Sequence, residues 1–442
     1  MPRPAQPRIL IVGGGHGGMH VALRLRRVLG RGQAAVTVVD ANSYMTYQPL
    51  LAEAAAGSVE PRHVVVPLRQ ALPWAHVITR EVVSIDHGQR TAYLRSGNGD
   101  PIPLPYDVLV LAPGSVSRVL PIPGLAENGV GFKTVAEAIH LRNQVLARLD
   151  EAASASSPRR RQAALTFVFV GGGFAGVEAL AELQDMAWDA CRRYPEIQPI
   201  WMKWVLVEAT DRILPEVGER LSHYTMRLLR CRGIDIRLGT RLVSAEGRRI
   251  HLDDGTEFDA DTLVWTAGVA PNPLVKRTDL PLDQRGRVRT SAFLSVVDTD
   301  DAWAIGDCAA IPDLARGQGA VCPPSAQYAV GQARTAADNL VASLNGGRLV
   351  PYRHASIGSV ASLGLYQGAA EVRGVRLRGF PAWLAHRTYH LSKLPSANRR
   401  LRVVADWTLD LMFPREIVSL EAIEHSREEF GLAASAAAKR AP

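Results

Sequence analysis

Cysteine is scarce: Cys191, Cys231, Cys308 and Cys322 are the only four in 442 residues, and no two form a C-x-x-C pair. That spacing excludes a disulfide scaffold and most zinc sites, and it leaves no adjacent dithiol for redox work. Long apolar runs are also missing. The longest, Ile9 to Val12 and Val108 to Ala112, are strand-length, whereas a membrane-spanning helix needs about 20 apolar residues. No signal-peptide core precedes the first strand, so a cytoplasmic protein is expected. Hydrophobic residues at 47% and charged residues at 21% exclude disorder and collagen-like repeats. The length predicts two or three domains, each with its own core.

Acidic residues are absent from Arg373 to Arg402, which holds Arg373, Arg376, Arg378, Arg387, Lys393, Arg399, Arg400 and Arg402. Outside that stretch the chain has 43 basic and 43 acidic residues, so the net charge of +8 belongs to one segment. A nucleic-acid-binding body is therefore not expected.

The first forty residues read as a βαβ unit: an apolar strand Arg8 to Val12, a glycine turn, a helical pattern from Met19 to Leu29, and a strand Val36 to Asp40 ending on an acid. Gly13, Gly15 and Gly18 fit G-x-G-x-x-G directly after the strand. In that pattern the first glycine permits a tight turn, the second lets backbone approach a pyrophosphate, and the third lets helix and strand pack closely. The helix N-terminus then offers unpaired N–H groups to phosphates. Asp40, 22 residues after Gly18, is placed to accept from ribose hydroxyls.

A second unit repeats this order at Leu165 to Val170, Gly171, Gly173 and Gly176, a helix from Val177 to about Arg192, and Trp204 to Glu208. Glu208 at a strand end accepts from the 2′-OH of NAD and repels the 2′-phosphate of NADP, although nearby Arg212 works against that preference. Glu178 has two readings: a first-turn acid favoured by the helix dipole, or a group near the nicotinamide that orients the ring or accepts a proton. Two loops imply two nucleotides, with FAD plus NAD(P)H the economical pair. Trp303 to Asp307 (WAIGD) supports the flavin, because Asp307 can reach ribityl hydroxyls while a following helix points at the pyrophosphate. The alternative for Asp307 is an N-cap of that helix. The segment Glu151 to Gln162 is small, polar and basic and reads as an exposed connection.

Over residues 8 to 345 the chain resembles the two-dinucleotide-binding-domain flavoproteins, and within them the type II NADH:quinone oxidoreductases. Tyr47-Gln48-Pro49-Leu50-Leu51 with Ala54 to Gly57 looks like that family's flavin-contacting segment. Pro323 to Gln332 (PPSAQYAVGQ) is similar to its AQ-x-A-x-Q quinone-site motif, except that Gly331 stands at the second glutamine and Gln332 follows it. Gln332 substitutes only if the helix start is shifted. Other branches place a cysteine shortly after the first acid-ended strand, and Ala41 to Leu51 contains none. Sulfide:quinone reductases need two cysteines flanking the flavin, and only Cys322 is suitably placed.

The resemblance implies an α/β fold with two Rossmann-type domains, the FAD domain split around an inserted NADH domain. The expected segments are 1–125 and 291–346 for FAD, 126–290 for NADH with the connection at 151–162, and a C-terminal membrane-docking region at 347–442. It implies that Gly13, Gly15, Gly18, Asp40, Gln48, Val83, Gly114 and Asp307 hold FAD. Gly171, Gly173, Gly176, Glu178, Glu208 and Gly268 would hold NADH, and Ala326, Gln327 and Ala329 would lie beside the flavin ring at the quinone site. Glu178 and Gln327 are then the candidate catalytic residues, with no metal.

From Phe380 to Leu394, the residues Phe380, Trp383, Leu384, Leu391 and Leu394 fall on one helical face, with Pro381 at the start, Pro395 as the stop and Arg387 interrupting the middle. One reading is a weakened amphipathic anchor on the anionic inner face of the cell membrane. The other is a helix packed on the protein's own body, with Arg387 paired. Trp407 and Phe413 are expected on the same docking surface or at a homodimer contact. The function expected is hydride transfer from NADH to FAD and two electrons onward to quinone. The alternatives are a soluble NAD(P)H reductase with another acceptor, or a slow-turnover FAD/NADH redox sensor.

Overall fold

The two glycine-loop units fold into two parallel sheets of matching design. The computed structural model describes residues 6–30, 32–97, 99–317, 319–354, 358–413 and 415–419. In the first sheet the strand order is Ala302–Ala304, Val108–Leu111, Arg8–Val12, Ala35–Asp40 and His76–Thr79, every neighbour parallel. In the second it is Gly129–Gly131, Thr262–Trp265, Thr166–Val170, Lys203–Glu208 and Ile234–Leu238, again all parallel. In both, the strand leading into the glycine loop is central. The acid-ended strand flanks it on one side, and a strand ending in a small-residue turn flanks it on the other. That order creates a switch-point crevice at the carboxyl ends, where open α/β sheets bind ligands.

Strands covered by helices on both faces are apolar throughout. Thr166–Val170 and Val108–Leu111 are accordingly buried at every position. Helix His16–Val28 packs against Ala326–Leu344, joined at the surface by Arg24 donating to both Asp338 oxygens at 2.8 and 3.0 Å. The helix Val135–Ser154 starts at a capping box, in which Thr134 Oγ1 accepts from Glu137 N while the Glu137 carboxylate accepts from Thr134 N.

Two sequence expectations change in detail. The exposed connection from Glu151 to Gln162 is helical: it holds the end of Val135–Ser154 and most of a second helix, Pro158–Ala164. Ser157 caps that helix and Pro158 stands near its start, and Glu151 pairs with both Arg148 and Arg160. The WAIGD strand is not followed by an α-helix either. Gly306–Cys308 forms a single 3-10 turn, and among the described residues the next α-helix begins at Ala326, so Asp307 does not cap an α-helix.

Of the two readings of the basic helix, the structure shows the one packed on the protein's own body, with Arg387 paired. A three-stranded antiparallel sheet (Gly358–Ser362, Gly368–Val372, Val375–Arg378) leads into helices Phe380–Lys393 and Ala397–Met412. On the first helix the buried residues are Ala382, Trp383, His386, Arg387 and His390. Phe380 and Leu384 are half exposed, at 52% and 51%. The inward face is thus polar, and the Arg387 interruption is the part that packs. Trp407 is buried as well, donating from Nε1 to Glu53, and does not belong to a docking surface. On the last helix Leu401, Val404 and Leu411 are exposed at helical spacing, followed by Met412 and Phe413. Among the described residues, no helix is long and apolar enough to cross a membrane.

Candidate active site

Each glycine loop is shaped by its own backbone. Gly13 has φ +101°, and a Cβ there would sit 2.3 Å from the Ala112 carbonyl oxygen; one on Gly18 would sit 1.8 Å from that of Gly13. Only glycine fits at either position. Gly15 differs: a Cβ would meet nothing within 4 Å. The second loop repeats the contrast, with Gly171 and Gly176 crowded by backbone and Gly173 facing open space. Gly15 and Gly173 are the N-caps of their helices and bring no capping side chain, which leaves first-turn N–H groups for an anion.

The acids close the loops. Asp40 accepts from Gly14 N at 2.6 Å and from Asn42 N at 2.7 Å. Glu208 accepts from Gly172 N at 2.6 Å, Thr210 N at 2.8 Å and Thr210 Oγ1 at 2.9 Å. A carboxylate has about four acceptor directions, so each can still take a ribose hydroxyl. Arg212 turns away and donates to the Pro215 carbonyl at 3.0 Å.

Four distant segments meet at Asp307. Its carboxylate accepts from Ser115 Oγ at 2.5 Å; Lys133 Nζ donates to that hydroxyl at 2.7 Å and lies 4.0 Å from Asp307; Gln48 Nε2 donates to the Lys133 carbonyl at 3.2 Å. Burial pushes the Lys133 amine down, against the upward pull of Asp307 and Glu137. Gly114 beside Ser115 has φ +71° and open space at its Cβ, as does Gly268 with φ +91°. Ser115 and Lys133 are absent from the sequence-based set, although the T-x-x-E box at Thr134 to Glu137 marks the start of the helix beside Lys133. Val83 is the unpaired residue where the Val82–Asp86 strand shifts register.

The two crevices are tied together directly. Ser115–Ser117 pairs antiparallel with Val269–Pro271, Arg118 N donates to the Gly268 carbonyl at 3.1 Å, and Asn272 N donates to the Gly114 carbonyl at 3.1 Å. This ribbon places the small-residue turn of one site beside that of the other.

The motif helix Ala326–Leu344 starts against the Gly306–Asp307 turn. A Cβ on Gly306 would lie 3.7 Å from that of Ala329, and Gln327 N donates to the Ser325 cap at 3.2 Å. Ala326 is its first residue. Gln332 is buried, and its Oε1 accepts from Gly306 N at 2.8 Å. The space beside Gly331 is filled by Tyr352, whose hydroxyl would be 3.0 Å from a Cβ there. All four cysteines are free, and burial pushes Cys308 up to about 12 and Cys322 up to about 11. Neither thiol is a thiolate at neutral pH.

Glu178 joins the C-terminal region. Its Oε1 accepts from Ser362 N at 2.9 Å and lies 3.3 Å from His386 Nε2. Glu53, Glu182 and His386 around it were missed by sequence reasoning; the one available signal was the i, i+4 pair His386 and His390.

Comparisons with known proteins agree with this fold. The chain is 27% identical over 427 residues to the type II NADH:quinone oxidoreductase Ndh of Mycobacterium tuberculosis, covering 93% of this chain and 89% of that protein. It is 29% identical over 410 residues to the demethylphylloquinone reductase NdbB of Synechocystis, covering 91% and 96%. In fold it is similar to the structure of NDH2 from Plasmodium falciparum in complex with NADH, with a TM-score of 0.85 at 18% identity over 93% of this chain and all of that one. The family model described as pyridine nucleotide-disulphide oxidoreductase matches residues 7–333, and the chain belongs to that family.

Proposed function

We propose that the chain is an FAD-dependent NADH:quinone oxidoreductase working at the surface of a membrane. The observation that carries this reading is the Ser115–Ser117 and Val269–Pro271 ribbon, which joins the two dinucleotide crevices turn to turn. The first crevice suits FAD, through the Gly13–Gly18 loop, Asp40 and the Asp307, Ser115, Lys133 and Gln48 cluster. The second suits NADH, through Gly171–Gly176, Glu208 and Gly268. FAD, when held by these residues, would supply the redox chemistry between NADH and a quinone. The protein's own part is positioning: loop N–H groups hold pyrophosphates, the acids hold riboses, and Glu208 disfavours a 2′-phosphate. Gln327, on the helix start against Gly306, is assigned to the acceptor side, and Glu178 holds or moves a proton at Oε1.

The docking surface on the cytoplasmic face of the membrane is assigned to Leu401, Val404, Leu411, Met412 and Phe413, with Phe380 and Leu384 beside the basic residues. An anionic leaflet suits that mixture. A homodimer contact through the same residues is the competing use, and sedimentation with and without detergent separates the two. A second reading, a soluble reductase with another acceptor, draws support from the inward packing of Phe380–Lys393.

Anaerobic mixing tests the function. NADH should bleach the flavin, and a soluble quinone should restore its colour rapidly. Replacing Gln327 with tryptophan should slow the second step more than the first. A protein that cannot be reconstituted with FAD overturns the reading, and a reduced flavin that quinone leaves untouched favours the second one.

A further inference from the structure

Lys133 crosses from one half of the molecule to the other. It stands two residues past the strand Gly129–Gly131, the edge of the second sheet, and just before the capped helix Val135–Ser154. Its backbone therefore belongs with the sheet that suits NADH. Its side chain does not stay there: Nζ donates to Ser115 Oγ at 2.7 Å and lies 4.0 Å from the Asp307 carboxylate, in the crevice that suits FAD.

The acid nearest to Lys133 in the chain does not hold this ammonium. Glu137 is taken up by the capping box, where Oε2 accepts from Lys133 N, Thr134 N and Thr134 Oγ1 at 2.7 to 3.0 Å. Asp307 in turn receives the Ser115 hydroxyl at 2.5 Å. A lysine ammonium has three N–H donors, and among the described residues Nζ gives one hydrogen bond, to Ser115 Oγ. The side chain is 23% exposed. The cation is thus sheltered but not sealed in the core, and a sheltered charge is screened less than a surface one. The imidazole at the start of the loop helix adds no second cation: burial, His20 and the Lys133 ammonium hold His16 down to about 3.

Ser115 fixes which end of the crevice this is. It opens the Ser115–Ser117 strand that pairs with Val269–Pro271, the joint between the two crevices. A hydride passes only between atoms in near contact. The reacting ends of NADH and FAD must therefore meet at that joint, with their pyrophosphates back at the glycine loops. Lys133 stands at the ring end of the FAD crevice.

We propose that Lys133 is a redox-tuning residue whose ammonium, carried across from the second sheet, stabilises the negative charge that FAD gains on reduction. A hydride brings two electrons and one proton, so its acceptor ends one unit more negative than it began, and NADH leaves as NAD⁺. A fixed cation at the ring end favours the reduced cofactor over the oxidised one and raises the reduction potential. A lysine that held the pyrophosphate, or only pinned Ser115, would bind both oxidation states alike, because neither of those groups changes charge.

The inference rests on the first crevice holding FAD, and spectroelectrochemistry of the FAD-loaded full-length protein tests it. Lys133→Met and Lys133→Gln should each lose affinity for reduced FAD at least tenfold more than for oxidised FAD. That ratio is a drop of about 30 mV in the two-electron midpoint potential. Lys133→Arg, which keeps the charge, should stay closer to wild type than either neutral variant. If Lys133→Met does not fold, Lys133→Gln, which keeps a donor for Ser115, carries the same readout. A midpoint unmoved in the neutral variants overturns the proposal. Loss of folding or of oxidised FAD in both of them does so too, since the lysine is then a holding group. Wild-type protein that takes up no FAD overturns the functional reading instead.

Discussion

Arg387 reaches Glu53 across 3.5 Å with its guanidinium 4.1 Å from the Trp383 ring and 4.7 Å from the Trp407 ring. A cation that looks in the sequence like a flaw in an apolar face is a buried partner of the Glu53 carboxylate, which Trp407 Nε1 also reaches.

Replacing Arg387 with leucine should therefore destabilise the protein. Removing one partner of a buried pair leaves the other charge unpaired, at a cost of about 3–5 kcal/mol. Denaturant melts of the two proteins measure this. A variant as stable as wild type, or one that binds vesicles more tightly, contradicts the packing described.

Membrane affinity should instead follow the last helix. Leu401 is 72% exposed and Leu411 54%, so serine at both should cost little stability and weaken co-sedimentation with anionic vesicles. Binding should also drop between 0.01 and 0.1 M salt, where the Debye length shrinks from about 30 Å to about 10 Å. No binding to anionic vesicles at low salt favours the soluble reductase.

Nucleotide preference should respond to Glu208. Wild-type flavin should be reduced faster by NADH than by NADPH, and Glu208→Gln should narrow that ratio about tenfold, equivalent to about 1.4 kcal/mol. Equal rates with both nucleotides in the wild-type protein remove the role assigned to this carboxylate.

The first glycine loop offers a paired test. An alanine Cβ at position 15 meets nothing, so Gly15→Ala should leave the apoprotein stable to within about 1 kcal/mol and still weaken FAD retention. At position 18 the added carbon would strike the Gly13 carbonyl, and Gly18→Ala should lose about 1–3 kcal/mol before any ligand is added. Flavin content and apoprotein melting report the two effects separately. Equal destabilisation by both substitutions would show that Gly15 serves the fold and not a ligand.

The acceptor-side departure is resolved by packing alone. Tyr352 and Gly331 are 21 residues apart in the chain, and only the turn after Ala326–Leu344 brings the ring over the glycine. Gly331→Gln should clash with Tyr352 and lower the melting temperature, and adding Tyr352→Ala should recover part of that loss. An additive double mutant would mean that the two positions do not touch.

The sequence by itself determined the two glycine loops, their flanking strands and the acids Asp40 and Glu208, because a βαβ unit is local. Its turn, helix start and acid lie within about 40 residues, and each residue type is required by backbone sterics or by phosphate and ribose chemistry nearby. Tertiary structure alone decided what fills the space between the loops. Ser115, Lys133 and Asp307 converge from three segments, and Glu53 meets Arg387 and Trp407 across more than 300 residues. No periodicity records such meetings, because they depend on which faces the helices bury. A helical wheel of Phe380 to Leu394 ranks faces by hydrophobicity. The buried carboxylates Glu53 and Glu182, with partly buried Glu178, instead draw in the face that carries His386 and Arg387, since an unpaired buried charge costs more than leaving Phe380 and Leu384 in solvent.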